Sequence, residues 1–152
     1  MKTIITYGTF DMFHIGHLNL LKRLNKLADK LIVAVSTDEF NNLKGKKTLI
    51  PYDQRAEIVA AIKYVDLVIP EINWEQKVKD ISKYNVDIFA IGEDWQGKFD
   101  FLKDKCEVIY LERTAGVSTT KLKKSLINFI SVTKEDLEYV FQILQNLKDD
   151  LR

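Results

Sequence analysis

The sequence predicts an α/β fold: a Rossmann-like, doubly wound, five-stranded parallel sheet with an added C-terminal helix. Three observations predict it. Short apolar runs alternate along the chain with segments patterned at helical spacing, which implies strand–helix–strand units with right-handed crossovers. The run Lys30-Leu31-Ile32-Val33-Ala34-Val35-Ser36 is unbroken rather than alternating, as a strand buried on both faces of a parallel sheet should be. Residues able to do chemistry follow these runs directly, where such sheets collect their ligands.

Thr3-Ile4-Ile5-Thr6-Tyr7 is β-branched and aromatic and reads as the first strand. Leu18, Leu21, Leu24 and Leu27 recur at helical spacing, so a helix is expected from Ile15 or Gly16. Lys30–Ser36 is the second strand and ends in Thr37-Asp38-Glu39-Phe40. Asn41 to Lys47, holding Lys44, Gly45, Lys46 and Lys47, reads as a basic, flexible loop. Pro51 is a start signal for a helix over Gln54 to Tyr64, with Ile58, Ala61, Ile62 and Val65 on one face. Asp66 to Pro70 reads as the third strand, Glu75 to Tyr84 as a helix, and Val86 to Ile91 as a fourth strand ending at Gly92. A short helical turn is expected over Lys98 to Lys103 and a fifth strand over Cys106 to Leu111. A helix capped by Ser118 or Thr119 should run to Ile127. Thr133 caps a last helix, in which Leu137, Val140, Phe141, Leu144, Leu147 and Leu151 form an apolar stripe. Residues 1–127 are thus expected to form the domain, and 128–152 a helical extension packed on it or on a dimer mate.

A chain of 152 residues, 46% hydrophobic and 30% charged, is one domain by length and large enough to bury a core. A formal net charge of +1 offers no general attraction to nucleic acid, so any anion binding must be local. One cysteine excludes an internal disulfide and fits a reducing cytoplasm. The N-terminus turns polar within a few residues and then forms a strand, so no signal peptide is expected. No apolar run approaches the ~18 to 20 residues of a membrane span. The expectation is a cytoplasmic protein with no membrane or nucleic-acid partner. G-x-G-x-x-G and G-x-x-x-x-G-K-[ST] are both absent, which disfavours dinucleotide dehydrogenases and P-loop enzymes.

The stretch Y-G-T-F-D-M-F-H-I-G-H, Tyr7 to His17, organises the chemistry. His14 and His17, the only histidines, fall three apart on the first turn of a helix and can point the same way. That helix start offers unpaired N–H groups and about half a positive charge, and Gly16 lets a phosphate approach the backbone. Zinc would have to recruit Cys106 or carboxylates without any Cys-x-x-Cys or His-Glu-x-x-His spacing. The reading is an anion site containing two imidazoles. Gly8–Asp11, Thr37–Lys46, Gly92–Trp95 and Arg113–Thr120 all follow strands, so four motifs should share one rim of the sheet.

Gly8-Thr9-Phe10-Asp11 followed by His14-Ile15-Gly16-His17 resembles the HxGH nucleotidyltransferases, the cytidylyltransferase group in particular. Arg113-Thr114-Ala115-Gly116-Val117-Ser118-Thr119-Thr120 resembles the R-T-x-G-x-S-T-T element of the same group. The segments S-T-D-E-F, N-W-E-Q-K and D-W-x-G-K-F-D-F-L-K-D narrow the likeness to members that act on glycerol 3-phosphate for teichoic-acid or capsule synthesis. It covers residues 1 to about 127.

The resemblance implies a homodimer and direct in-line attack of an acceptor phosphate on the α-phosphorus of CTP, with Mg²⁺ accompanying the nucleotide. It assigns His14 and His17 to the α- and β-phosphate oxygens, Lys46 to the triphosphate and Arg113 to phosphate or to the cytosine carbonyl. Ser118, Thr119 and Thr120 would hold the β- and γ-phosphates. Gly8, Thr9, Phe10, Gly92, Asp94, Trp95, Thr114 and Gly116 complete the CTP site. Lys44, Lys77, Trp74, Arg55 and Asp38 fall to the acceptor, with Asp38 on the glycerol hydroxyls. Asp11 would orient a histidine or help hold Mg²⁺, whose other ligands are phosphate oxygens and water. Two departures stand out: Ala115 replaces a common acidic residue, and Lys63 replaces an arginine whose fork an ammonium cannot reproduce. Rival readings are a cytidylyltransferase for phosphoethanolamine or phosphocholine, and a non-catalytic nucleotide-sensing module.

Overall fold

The computed structural model describes residues 1–114, 118–130 and 133–151. Two compact units divide the chain, Met1–Val117 and Ser118–Arg152. The division falls before the helix expected to close the domain at residue 127, and groups that helix with the extension.

In the first unit the order is β1 (Thr3–Gly8), α1 (Ile15–Asn25), β2 (Lys30–Ser36), α2 (Asp38–Leu43), α3 (Tyr52–Ala60), β3 (Leu67–Glu71), α4 (Gln76–Lys83), β4 (Ile88–Gly92) and β5 (Glu107–Leu111). Short 3-10 turns occupy Glu93–Trp95 and Asp100–Leu102. Among the described residues the strands form one sheet in the order β3-β2-β1-β4-β5, and every pairing is parallel. The chain therefore walks outward from β1 to β3, then returns to the other side of β1 for β4. Connections leaving β1 and β4 diverge at that reversal and open a crevice beyond their carboxyl ends.

Burial on both faces explains the unbroken apolar strands. Ile4, Leu31, Val33, Val35, Ile88 and Ala90 pack with Leu21 and Leu24 of α1 and Val59 of α3. The alternate residues Ile5, Tyr7, Ile32, Ala34, Phe89 and Ile91 pack with Ile81 of α4 and with Phe99 and Leu102.

Part of the expected basic loop is helical. Thr37 caps α2 by accepting from the Phe40 N–H at 3.2 Å, and Phe40 and Asn41 are buried, so capping and burial outweigh the polar composition. α3 starts directly after its N-cap Pro51 and ends at Ala60, short of the expected Tyr64. β3 extends to Glu71, one residue beyond the expected end.

The second unit holds α5 (Thr119–Ile130) and α6 (Lys134–Asp150). Ser118 is the cap: its Oγ accepts from the Lys121 N–H at 3.0 Å. Thr133 and Asp136 form a reciprocal capping box at the start of α6. Leu137, Val140, Phe141, Leu144, Leu147 and Leu151 are all more than half exposed. No helix among the described residues is long and apolar enough to cross a membrane.

Candidate active site

The turn leaving β1 is built to seat two imidazoles. Phe10 and Met12 adopt left-handed backbone angles, φ 53° and 49°. The Phe10 ring folds back over Gly8, where an added Cβ would stand 2.8 Å from Phe10 Cε2. Rings of Phe10 and Phe13 each lie 5.3 Å from that of His17, centroid to centroid. His14 is the N-cap of α1, and its Nδ1 accepts from the Gly16 N–H at 3.0 Å. His17 Nδ1 accepts from the His14 N–H at 3.2 Å. The two imidazoles stack with centroids 3.8 Å apart.

With both Nδ1 atoms accepting, each neutral ring carries its proton on Nε2 and presents an N–H donor on the edge turned from the backbone. Burial lowers the pKa of His14. It lowers that of His17 to about 4, aided by the His14 charge and opposed by Asp11. The pair is neutral at pH 7 and ready to gain charge when an anion arrives.

A second layer laces this turn to the loop ahead of α3. The buried Asp11 carboxylate accepts from the Leu49 N–H at 2.9 Å and the Ile50 N–H at 3.0 Å. Arg55, 1% exposed, donates to Ile50 O at 2.8 Å, Thr9 O at 2.6 Å and Asp38 Oδ1 at 2.8 Å. Asp38 also accepts from the Tyr52 N–H at 3.0 Å and the Thr48 hydroxyl at 3.3 Å. These bonds, the Tyr52 amide first, hold its carboxyl below the usual carboxylate range. Arg55, shielded from solvent, and Asp38, whose side chain is 41% exposed, thus form a bracket between the turn leaving β1 and the loop ahead of α3. Asp11 is a latch on the loop whose charge reaches His17. Thr9 Oγ1 donates to the buried Asn41 Oδ1 at 3.2 Å.

Beyond the ends of β2 and β3 lies a pocket lined by Gly8, Thr9, Lys44, Lys46, Trp74 and Trp95 among others. Lys44 Nζ stands 3.3 Å from Ser36 Oγ, 3.7 Å from Glu71 Oε1 and 4.3 Å from the Phe40 ring centroid. Lys77 Nζ donates to Glu71 Oε2 at 2.7 Å. The Ser36 hydroxyl donates to Glu71 Oε1. Burial pushes the Lys44 pKa down, opposed by Glu71. Lys44, Lys46, Trp74, Lys77 and Trp95 are therefore brought together as the sequence suggested. Glu71, Ser36, Tyr7 and Phe99, which also line the pocket, were not anticipated. Glu71 directly follows the expected end of the third strand at Pro70, and that place at the carboxyl rim was the available signal.

Arg113 and Asp94 pair with each other through Nη2 and Oδ2 just after β5 and β4, both well exposed. Gly92 closes β4, and a Cβ there would meet nothing within 4 Å. Thr114 follows Arg113 at the end of the described stretch; Gly116, and Ala115 beside it, lie outside the described residues. In the second unit Ser118 commits its hydroxyl to capping, while Thr119 and Thr120 open α5. Lys63, exposed, lies 5.2 Å from the Tyr64 ring centroid. Among the described residues no three His, Cys, Asp or Glu side chains gather into a metal cluster.

A protein-family model described as cytidylyltransferase-like matches residues 5–133. The chain is 59% identical over 126 residues to the glycerol-3-phosphate cytidylyltransferase of Staphylococcus aureus, covering 83% of this chain and 96% of that one. The enzyme of the same name from Bacillus subtilis is also 59% identical over 126 residues, with 83% and 98% covered. Among solved structures, a lipopolysaccharide core biosynthesis protein from Thermoplasma volcanium superposes with a TM-score of 0.64 at 25% identity, covering 75% of this chain and 98% of that one.

Proposed function

The chain belongs to the cytidylyltransferase-like family, and on that premise we propose that it is an enzyme transferring the cytidylyl group of CTP to sn-glycerol 3-phosphate. The products are CDP-glycerol and pyrophosphate. A phosphate oxygen of the acceptor attacks the α-phosphorus in line. The bond from that phosphorus to the oxygen bridging to the β-phosphate breaks, and its electron pair leaves on pyrophosphate. Two anions must meet, so positioning and cationic stabilisation carry the rate, and no nucleophilic side chain takes part.

The observation that carries this reading is the stacked histidine pair, whose Nδ1 atoms are taken by backbone amides so that two Nε2–H donors remain for phosphate oxygens. His17 serves the departing bond and His14 the α-phosphate. Lys46 steadies the triphosphate, and Lys44 makes the neighbouring pocket attractive to the acceptor's phosphate, with Lys77 beside it held on Glu71. Arg113 and Asp94 serve the nucleotide. The resemblance assigns Ser118, Thr119 and Thr120 to the β- and γ-phosphates, and a helix start is a setting that favours an anion.

Mg²⁺ fits as a passenger on CTP. No carboxylate cluster is at hand among the described residues, and the Asp11 oxygens already accept from two amides, so phosphate oxygens and water supply its ligands. The ion would offset charge on the leaving pyrophosphate.

The enzyme acts as a homodimer, for which the exposed stripe of α6 is the support. It works in the cytoplasm, in keeping with its single half-buried thiol, Cys106, and its product feeds a teichoic-acid or capsule polymer. Incubation with CTP, Mg²⁺ and a panel of phosphoalcohols tests the reaction. Pyrophosphate release should be fastest with glycerol 3-phosphate. Equal or faster release with phosphocholine or phosphoethanolamine would replace the acceptor, and CTP binding without release would leave a nucleotide sensor.

A further inference from the structure

The Lys77 ammonium sits where a small organic cation would be expected to bind. It is enclosed by three rings, with Nζ 4.5 Å from the Tyr7 centroid, 4.9 Å from Trp74 and 5.5 Å from Phe99. Glu71 Oε2 meets it at 2.7 Å, and the residue is 1% exposed. Aromatic faces around a carboxylate attract a desolvated cation strongly, and quaternary ammonium groups are held by such boxes. Here the cation belongs to the protein. The box opens onto the pocket that holds Lys44 and Lys46.

We propose that Lys77 sets the acceptor class by plugging this aromatic box and neutralising Glu71. A phosphoalcohol ending in an ammonium group then finds its box filled and its carboxylate spent. Lys44, 3.7 Å from the other Glu71 oxygen, leaves the two lysines and one carboxylate with a net positive charge, which repels a cationic head and leaves a neutral polyol acceptable. Selection of this kind works by rejecting the wrong partner as much as by holding the right one. The inference rests on the reading that the acceptor is a phosphoalcohol.

The test compares kcat/KM for glycerol 3-phosphate with that for phosphoethanolamine and phosphocholine. Lys77→Met keeps the bulk and removes the charge, and should lower the glycerol-to-ammonium ratio ~10-fold or more, the scale of one unit charge at short range. Lys77→Arg keeps a cation in the box and should hold the ratio near the wild-type value. Tetramethylammonium should raise the melting temperature of Lys77→Ala while leaving the wild type unmoved. A Lys77→Met ratio within about threefold of wild type, read as transition-state discrimination, overturns the proposal. Should the Lys77 variants fail to fold, Glu71→Gln decides: removing the counter-charge should raise the same ratio, and an unchanged ratio overturns the proposal. Wild-type turnover of glycerol 3-phosphate tests the reaction itself, while the change of ratio in the variants tests Lys77, so the two can fail separately.

Discussion

Arg55 Nη1 donates to the Thr9 carbonyl at 2.6 Å, and that bond fastens α3 to the turn carrying both histidines. Ile50 O and Asp38 Oδ1 take its other engaged donors. Arg55→Met should lower stability by roughly 2–3 kcal/mol, mostly from two carbonyls left unpaired. Half-exposed Asp38 adds little. Thermal melting checks this. An unchanged melting temperature with a raised KM for the acceptor would return Arg55 to the phosphate. Arg55→Lys should rescue poorly, because one ammonium cannot reach three oxygens in a fork.

Gly8→Ala would press a methyl group against Phe10, at 2.8 Å from Cε2. Phe10 is buried against His17, so the ring cannot retreat without moving the imidazole. Overpacking of this sort costs about 1–3 kcal/mol. A displacement near 1 Å at reacting groups costs on the order of 10²-fold in turnover. The expected variant folds, melts earlier and is nearly inactive; full activity would show that the turn has slack.

His17→Ala should depress kcat by ~10²-fold or more while leaving CTP affinity within a few-fold, the behaviour of a donor used in the transition state. Steady-state kinetics beside calorimetric binding separates the two effects. A large loss of CTP affinity at unchanged kcat would make His17 a ground-state contact.

The neutral histidine pair predicts two pH effects. His17 has its pKa lowered to about 4 in the folded chain, below its ordinary 6.5. The unfolded chain therefore binds more protons between those values, and stability owed to neutral His17 is present above pH 6.5 and lost as pH falls toward 4. Melting temperatures measured across that window should decline more in the wild type than in His17→Phe. CTP should raise both imidazole pKa values by its charge, so binding at about pH 6 takes up protons. Calorimetry in buffers of different ionisation heat reads the uptake; identical heats would mean that the pair stays neutral.

Removing α6 by truncation after Ile130 deletes the exposed stripe of Leu137, Leu144, Leu147 and their neighbours. Sedimentation should then show a monomer where the full chain is a dimer. A dimer that survives would put the self-interface on the first unit.

Local chemistry made much of this legible. The strand runs, the Thr133 cap and the start of α1 depend on residues a few positions apart, and each appears where spacing placed it. His14 and His17 belong to this class, since their geometry is set within one helical turn. α2 was misjudged because four basic or flexible residues beside it outweighed the capping threonine in a reading by composition. The partners of Arg55, Asp38 and Glu71 were not legible for another reason: whether a charged side chain meets solvent, ligand or an internal partner depends on segments far along the chain.

By itself the sequence determined the parallel sheet, the histidine turn and the rim on which chemistry collects, because period and capping are short-range properties. Only the tertiary structure decided which charges serve the scaffold and which the pocket. Arg55 reaches back to Thr9, and Lys77 closes on Glu71 inside rings drawn from β1, α4's approach and the 3-10 region. A buried charge persists only where distant oxygens and ring faces converge on it, and that convergence is a property of the fold.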